Sequence, residues 1–397
     1  MIIGIDASRA NQDFKTGTEW YSYYLIQNLA LIDQENQYIL YTKEPAKEGL
    51  INLGKNFKNK VLKWPPNLMW SQLRLSMEMI FNRPDVLFVP AHTIPIIHPK
   101  KTVTTCHDVG FERYPELYAT KAIGPKKGPL KAILNLFIKI ISFGRFSGHE
   151  LDYHRFSMRF AVKHAWKIIT PSNFTKSEIK HYYPFAKENI YSVYSGINHK
   201  NYNSARDDRR IQEVMNKYGL KTPFFVFIGR LEEKKNIVGL LEVFNMFIKE
   251  YKTDHQLVLI GQPGYGYEKA KNYIVKNNIQ DKVKEIGWIS EEEVASIYKS
   301  AEALIFLSFY EGLGLPPLEA QACGLPVLAS DRGSLPEILQ NTALITDPSD
   351  FKGATKKLHQ ITADERIKKE HIDQGLGHVK DFSWINCAKK TRHILTS

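Results

Sequence analysis

SFYEGLGLPPLEAQACGLPV, residues 308–327, reads as the end of a buried strand, a glycine-rich loop and the opening of a helix. The strand ends near Phe309, and Gly312 and Gly314 fall in the loop. Pro316 and Pro317 open the helix, where a missing N–H costs nothing. A glycine loop that feeds a helix N-terminus presents free backbone N–H groups and the positive end of the helix dipole, the makings of an anion site. Glu311 lies on the loop and Glu319 in the first turns of the helix. A carboxylate beside a phosphate is repelled, so the chemistry that suits both glutamates is acceptance from neutral hydroxyls. One loop would then hold a phosphate and grip sugar hydroxyls on either side of it. Taken alone, the two glutamates describe a solvated helix start equally well.

A second stretch, FFVFIGRLEEKKN at 224–236, has the same grammar. A strand ends at Ile228, Gly229 and Arg230 follow, and Lys235 stands at a helix start. Two cations at the carboxyl end of a domain's first strand suit a diphosphate, the arginine as a planar fork and the lysine as a point charge. They would also neutralise charge building on a departing diphosphate. In isolation, an arginine and a lysine after a strand more often belong to a solvated surface.

Around these two stretches, short β-branched runs alternate with helical patterns. Strands are expected at 2–6, 38–41, 86–89, 103–106, 168–170 and 190–193, then at 224–228, 257–260, 283–286, 303–307, 327–329 and 343–346. Helices are expected at 19–31, 173–182, 237–249, 267–276 and 291–299, with Ser172 or Asn173 as the cap of the second. Such alternation signals α/β architecture with parallel sheets covered on both faces. The stretch 198–222 holds a charge run from Arg206 to Arg210 and no strand-like segment, so it reads as the boundary between two domains. Two doubly wound domains joined there would leave a cleft between the carboxyl ends of their strands, where ligands bind. GYGYE and EGLGLP lack the third glycine of G-x-G-x-x-G, which argues against a dinucleotide.

Composition sets the outer bounds. A chain of 397 residues suggests two domains at ~150 residues each. Its 43% apolar and 24% charged residues exclude a disordered or collagenous chain, and no repeat points to a solenoid. Cys106, Cys323 and Cys387 are far apart and form no C-x2-C pair, which argues against a disulfide scaffold or cysteine zinc site and fits a reducing compartment. HELDYH at 149–154 misses the zinc pattern H-E-x2-H by one residue, so no metal site is expected. MIIGIDASRA has no basic n-region or apolar core, and no run of 18 apolar residues occurs, so a cytoplasmic protein is expected.

The net charge of +12 is uneven: residues 1–200 carry +11 and residues 201–397 carry +1. A basic half invites an anionic partner. Lys121, Lys126, Lys127, Lys131, Lys139 and Arg145 stand in a stretch with no acidic residue, which contains PLKAILNLFIKIISF at 129–143. That run is too short to span a bilayer. As a basic amphipathic helix it would lie in a membrane interface, or else face a core with its lysines solvated.

Taken together, the motifs resemble the retaining glycosyltransferases of family 4, whose GT-B fold sets two doubly wound Rossmann-like domains face to face across a cleft. The family pattern G-R-x4-K is matched by Gly229, Arg230 and Lys235. The pattern E-G-[FL]-G-[LI]-P-x2-E is matched by Glu311, Gly312, Leu313, Gly314, Leu315, Pro316 and Glu319. Flanking segments also fit: SEEEVASIYKSAEALIFLS (290–308), GLPVLASDRGSLPEIL (324–339), TGTEWYSYYL (16–25), TCHDVGFERYPELY (105–118), IITPSNFTKSEI (168–179) and DFSWINCAKKTRHIL (381–395).

The resemblance implies an acceptor-binding domain at 1–200, onto which a final helix at 382–397 returns, and a nucleotide-sugar-binding domain at 201–381. It gives the donor diphosphate to Arg230 and Lys235, with Gly17 letting the first loop come close. Glu319 would bind the ribose and Glu311 the transferred sugar, with Gly312 in the same loop and Gly314 and Leu315 offering N–H groups. His107 would sit by the donor sugar, and Trp288 and Ile289 would line the base pocket. This chain departs from the family in having one glycine in the first loop and Ser195-Gly196-Ile197-Asn198 where N-G-[VI]-D is usual.

The implied chemistry is a front-face, retaining, metal-independent hexosyl transfer without a cofactor, in which the leaving diphosphate oxygen helps deprotonate the acceptor hydroxyl. CHDVGFERYPE resembles bacterial members that act on surface polysaccharides, often with GDP-mannose. The expected partners are therefore a GDP- or UDP-sugar and a glycan or polyprenyl-diphosphate-linked acceptor. The segment 121–145 would touch an anionic membrane, placing a peripheral protein on the inner face of the cytoplasmic membrane. Two other readings stand beside this one. A nucleotide-sugar epimerase would share the fold. A basic nucleic-acid-binding protein would share the charge, but no helix-turn-helix, zinc-finger or RRM pattern is present, so no nucleic acid is expected.

Overall fold

Strands buried on both faces need unbroken apolar runs, and this chain supplies two sets of them. The computed structural model describes residues 1–64, 70–118 and 149–397. It divides into two units, Met1–Gly196 with Ser383–Ser397, and Ile197–Phe382. The basic stretch at 121–145 and the amphipathic run at 129–143 lie outside the described residues.

The first unit is built on β1 (Ile2–Asp6), β2 (Gln37–Thr42), β3 (Phe57–Val61), β4 (Val86–Val89), β5 (Thr102–Thr105), β6 (Lys167–Thr170) and β7 (Ile190–Ser192). All pair in parallel, in the order β3-β2-β1-β4-β5-β6-β7. The sequence reading omits β3, whose FKNKV is polar and partly exposed along its length, so it shows no apolar run. The helix Gly17–Ile32 buries Tyr21, Leu25, Ile26 and Leu29 in the same core as Trp384, Cys387, Ala388 and Leu395 of the helix Trp384–Thr396. Lys167 clasps the end of that last helix: its Nζ donates to Ile394 O at 3.0 Å and Ser397 Oγ at 2.8 Å. A cation at the last carbonyls suits the negative pole of a helix.

The second unit carries β8 (Phe224–Ile228), β9 (Gln256–Ile260), β10 (Val283–Gly287), β11 (Ala303–Phe306), β12 (Val327–Ser330) and β13 (Leu344–Thr346). These are also parallel, in the order β10-β9-β8-β11-β12-β13. The stretch that reads as a boundary contains the helix Asp208–Tyr218. Asp207 caps it by accepting from Arg210 N at 3.1 Å, and Ile211, Val214 and Met215 form a buried stripe at helical spacing between the charges. Among the described residues, no helix is long and apolar enough to cross a membrane.

Both sheets have one point where strand order reverses. In the first unit it lies between β1 and β4, and in the second between β8 and β11. At such a point the connections leave in opposite directions, and the loops beyond the carboxyl ends of the two strands flank an open crevice.

Candidate functional site

In the second unit the loops that follow β8 and β11 are tied together, since Phe309 N donates to Lys234 O at 3.0 Å. Lys235 closes a short turn, Glu233–Lys235, and its Nζ donates to Glu311 Oε1 at 2.6 Å. The two side chains are only 15% and 10% exposed, so the pair is shielded from water. Sequence spacing does not reveal this contact, because the partners are 76 positions apart. Arg230 stays outside it. Its side chain is 65% exposed, with Nε at 3.7 Å from Glu232 Oε2. The two cations that the sequence groups as one set thus differ: Lys235 is held in a shielded pair across the two loops, and Arg230 in an exposed, longer pair with its near neighbour Glu232.

The loop after β11 ends at Gly314, whose φ of +89° caps the helix Leu315–Ala322. A Cβ there would stand 2.6 Å from Leu335 Cδ2, so both the backbone angle and the space call for glycine. A helix start leaves its first four N–H groups without intrahelical acceptors. Two of those positions are Pro316 and Pro317, which have none. Gly314 and Leu315 therefore carry the remaining donors, and neither bonds to a backbone acceptor among the described residues. Gly312 is buried in the same loop.

Glu319 lies on the second turn of this helix, half-buried, and its carboxylate accepts from no donor among the described residues. Loss of hydration, and secondly the nearby charge of Glu291, push its carboxyl up to about 8. Glu291 itself accepts from Asn198 Nδ2 at 3.0 Å and Asn201 Nδ2 at 3.2 Å. Asn198 fills the position where the family has aspartate, and its amide, unlike an ionised aspartate, donates to Glu291.

The strands β8, β9 and β10 each lead into a glycine with positive φ, at Gly229, Gly261 and Gly287. A Cβ on Gly261 would fall 1.9 Å from Gly229 O, so the strand ends pack backbone to backbone. The loop 262–267 then runs beside 230–234 through Leu231 N to Gln262 O at 2.9 Å, Gly264 N to Leu231 O at 2.7 Å and Glu233 N to Tyr265 O at 2.8 Å. The sequence reading passes over this second wall, although a glycine at the end of each of three successive strands is its visible signal. Trp288, 42% exposed, and Ile289, buried, follow β10 two strands away from β8.

In the first unit, His107 follows β5 and sits edge-on to Tyr21, with ring centroids 4.8 Å apart. Its Nε2 lies 3.0 Å from Pro90 O, and since a carbonyl only accepts, Nε2 carries the proton. Burial pushes the imidazole below its ordinary value, so the ring is neutral with an acceptor lone pair at Nδ1. Gly17 opens the helix Gly17–Ile32, and a Cβ there would meet nothing within 4 Å. Thr16 caps that helix with Glu19, which also holds Arg9 at 3.0 Å. HELDYH enters the helix Glu150–His164, where His154 Nδ1 stands 3.3 Å from His92 Nε2. No group of three potential metal ligands occurs among the described residues.

Comparison with known proteins bears on the family and the fold. A family model described as Glycosyltransferase Family 4 matches residues 16–201, and one described as Glycosyl transferases group 1 matches residues 209–375. The chain is 27% identical over 319 residues to O-antigen chain mannosyltransferase B of Escherichia coli, covering 79% of this chain and 81% of that one. WaaG, a glycosyltransferase involved in lipopolysaccharide biosynthesis, superimposes with a TM-score of 0.72 at 14% identity, covering 100% of both chains. HepE of Anabaena, solved with UDP-glucose, gives a TM-score of 0.71 at 13% identity over 100% of this chain and 99% of that one. At those identities the two structures speak to the fold alone, which is GT-B.

Proposed function

The chain is a GT-B glycosyltransferase, its first half belonging to family 4 and its second to group 1, and from that premise we propose that it retains anomeric configuration and moves a mannosyl group from a nucleotide-diphosphate sugar to a glycan or polyprenyl-diphosphate-linked acceptor in surface-polysaccharide synthesis. The observation that carries this reading is the shielded Lys235–Glu311 pair at the β8/β11 switch point, in the loop that ends at the N–H groups of Gly314 and Leu315. The O-antigen mannosyltransferase among its relatives supports the mannosyl group, with GDP-mannose as the first donor to try.

Each side chain then has a task. Lys235 keeps two N–H donors beyond the one given to Glu311, and these meet the diphosphate together with Arg230 and the two backbone N–H groups. The second carboxylate oxygen of Glu311 accepts from a hydroxyl of the transferred sugar, and Glu319 accepts from the ribose. Trp288 and Ile289 border the base. In the first domain, 1–200, His107 Nδ1 accepts from a sugar hydroxyl near the reacting carbon, and Gly17 leaves room for the phosphates. As the glycosidic bond breaks, negative charge grows on the diphosphate, and the cations and N–H groups stabilise it without a metal ion. The departing oxygen takes the proton of the attacking hydroxyl on the same face of the sugar, which preserves the anomeric configuration. The basic segment 121–145 would hold the protein against the anionic inner face of the cytoplasmic membrane, where a lipid-linked acceptor resides.

The test is thermal shift with GDP, UDP and ADP, followed by transfer from the matching sugar nucleotides to mannosides with and without EDTA, the product anomer being read by NMR. GDP stabilisation and an α-linked product in EDTA are expected. Conversion of the donor with no acceptor present would favour the epimerase. No stabilisation by any nucleotide and no transfer would end the proposal.

A further inference from the structure

The loops that follow β1 and β2 border an open cavity at the carboxyl end of the first sheet, lined by Gln12, Asp13, Lys15, Tyr23, Lys47 and Gly49 together with Glu48. It belongs to the β1/β2 side of the sheet, whereas the switch point lies between β1 and β4, on the other side of β1. None of the donor-binding or catalytic residues assigned above lines it.

The wall is held in place from beneath. Asn11, buried at 6% exposure, donates through Nδ2 to Pro45 O at 2.9 Å and accepts from Lys47 N at 2.8 Å. Gln27 Nε2 fixes the far end by donating to Gly49 O at 3.1 Å. The loop that carries Lys47, Glu48 and Gly49 is thereby pinned to the loop that carries Gln12, Asp13 and Lys15. On the inner side, Lys15 Nζ stands 5.0 Å from the centre of the Tyr23 ring and 5.4 Å from that of Trp20. Lys47 Nζ meets Asp13 Oδ1 at 2.7 Å.

The lining decides the chemical class of ligand. Two ammonium groups and two carboxylates balance each other, so a phosphate would face Asp13 and Glu48, and a metal ion would face Lys15 and Lys47. An aliphatic chain would lie against a lining that is mostly polar or charged, with the Tyr23 ring as its main apolar face. Neutral hydroxyls are served by every one of these groups, because they both donate and accept. Tyr23 adds an apolar wall with a polar tip, which matches the mixed surface of a pyranose.

We infer that this cavity is a subsite for a neutral sugar unit of the acceptor glycan, one that does not itself react. The inference rests on the glycan acceptor proposed above. It makes the enzyme a reader of acceptor length: a chain that reaches the cavity is held better than a single residue.

The experiment compares mannosides of one and four residues on the same aglycone as acceptors, for the wild type and for Lys15→Ala/Lys47→Ala. In the wild type, kcat/KM for the longer acceptor should exceed that for the shorter by about tenfold or more, through KM. In the double variant the ratio should fall to near one, with kcat on the longer acceptor kept. No preference in the wild type, or a preference that survives in the variant, overturns the subsite while leaving the transferase reading intact. If neither acceptor is glycosylated, the transferase reading itself fails. Saturation-transfer NMR of the free tetrasaccharide then judges the cavity alone. A signal lost in the variant sustains the inference, and an equal or absent signal refutes it.

Discussion

Replacing Lys235 by methionine removes the ammonium and keeps most of the side-chain volume, so it isolates the charge. Glu311 would then be left 10% exposed without the cation it is paired with. Removing one partner of a buried pair costs about 3–5 kcal/mol, because the other charge stays desolvated. The 15% exposure of Lys235 lets water screen part of that loss, so about 2–4 kcal/mol is the expected range. For a domain of this size each kcal/mol lowers Tm by about 2–4 °C, which places the drop at roughly 5–15 °C. Lys235→Met/Glu311→Gln should recover most of it, since the amide carries no charge to strand, giving a coupling of about 2 kcal/mol in the cycle. Turnover should not recover. The leaving diphosphate has lost a charge donor in both variants, which costs about 10²–10³-fold in kcat. Calorimetry on the four proteins measures the coupling, and donor turnover measures the chemistry. A Lys235→Met protein that melts with the wild type, with no coupling, would refute the shielded pair. One that turns over normally would refute the phosphate role.

Arg230→Ala should separate function from stability in the opposite way. With a 65% exposed side chain it should leave ΔG within about 0.5 kcal/mol and still lower kcat by about 10²-fold, as melting curves and turnover would report. Gly17→Ala should leave Tm within about 1 °C, since its Cβ meets nothing within 4 Å, yet it should raise the donor KM if phosphates come close to that helix start. Glu319 gives a pH signature. Its carboxyl is raised in the folded protein from 4.5 to about 8, so donor-free stability is fullest below the lower value and declines as pH climbs through that interval. The ionised carboxylate is the stronger acceptor for ribose hydroxyls, so nucleotide affinity should rise over the same interval and level off above about pH 8. Glu319→Gln should flatten both curves in titration calorimetry and thermal melts, and an unchanged pH profile would remove Glu319 from the site.

The α/β class and most strands are legible in the chain because a buried parallel strand announces itself as an apolar run. The strands Ile2–Asp6, Val86–Val89 and Phe224–Ile228 start and stop where their runs do. The helix cap Ser172 is equally local, a short side chain accepting from an N–H three residues on. The edge strand Phe57–Val61 is not legible, since its partly exposed face tolerates lysine and asparagine. The helix inside the charge run is missed for the opposite reason, its three apolar residues being few among the charges.

For the site, the sequence by itself determines which chemical groups are available and their local setting. Gly312 and Gly314 fall in a loop that feeds a helix, the two prolines open that helix without N–H groups of their own, and Glu311, Glu319, Arg230 and Lys235 stand at strand and helix ends. Only the tertiary structure decides which of these groups meet. Parallel pairing of β8 with β11 brings Lys235 to Glu311 across 76 positions, and a carboxylate that is free or neutralised looks the same in a string of letters. The same holds for Glu319, whose carboxyl is displaced first by burial and secondly by the charge of Glu291, contributed from another helix. Local rules set backbone angles and caps because their energies act within a few residues. Charge pairing and loss of hydration depend on what the fold packs alongside, and no short stretch of sequence contains that.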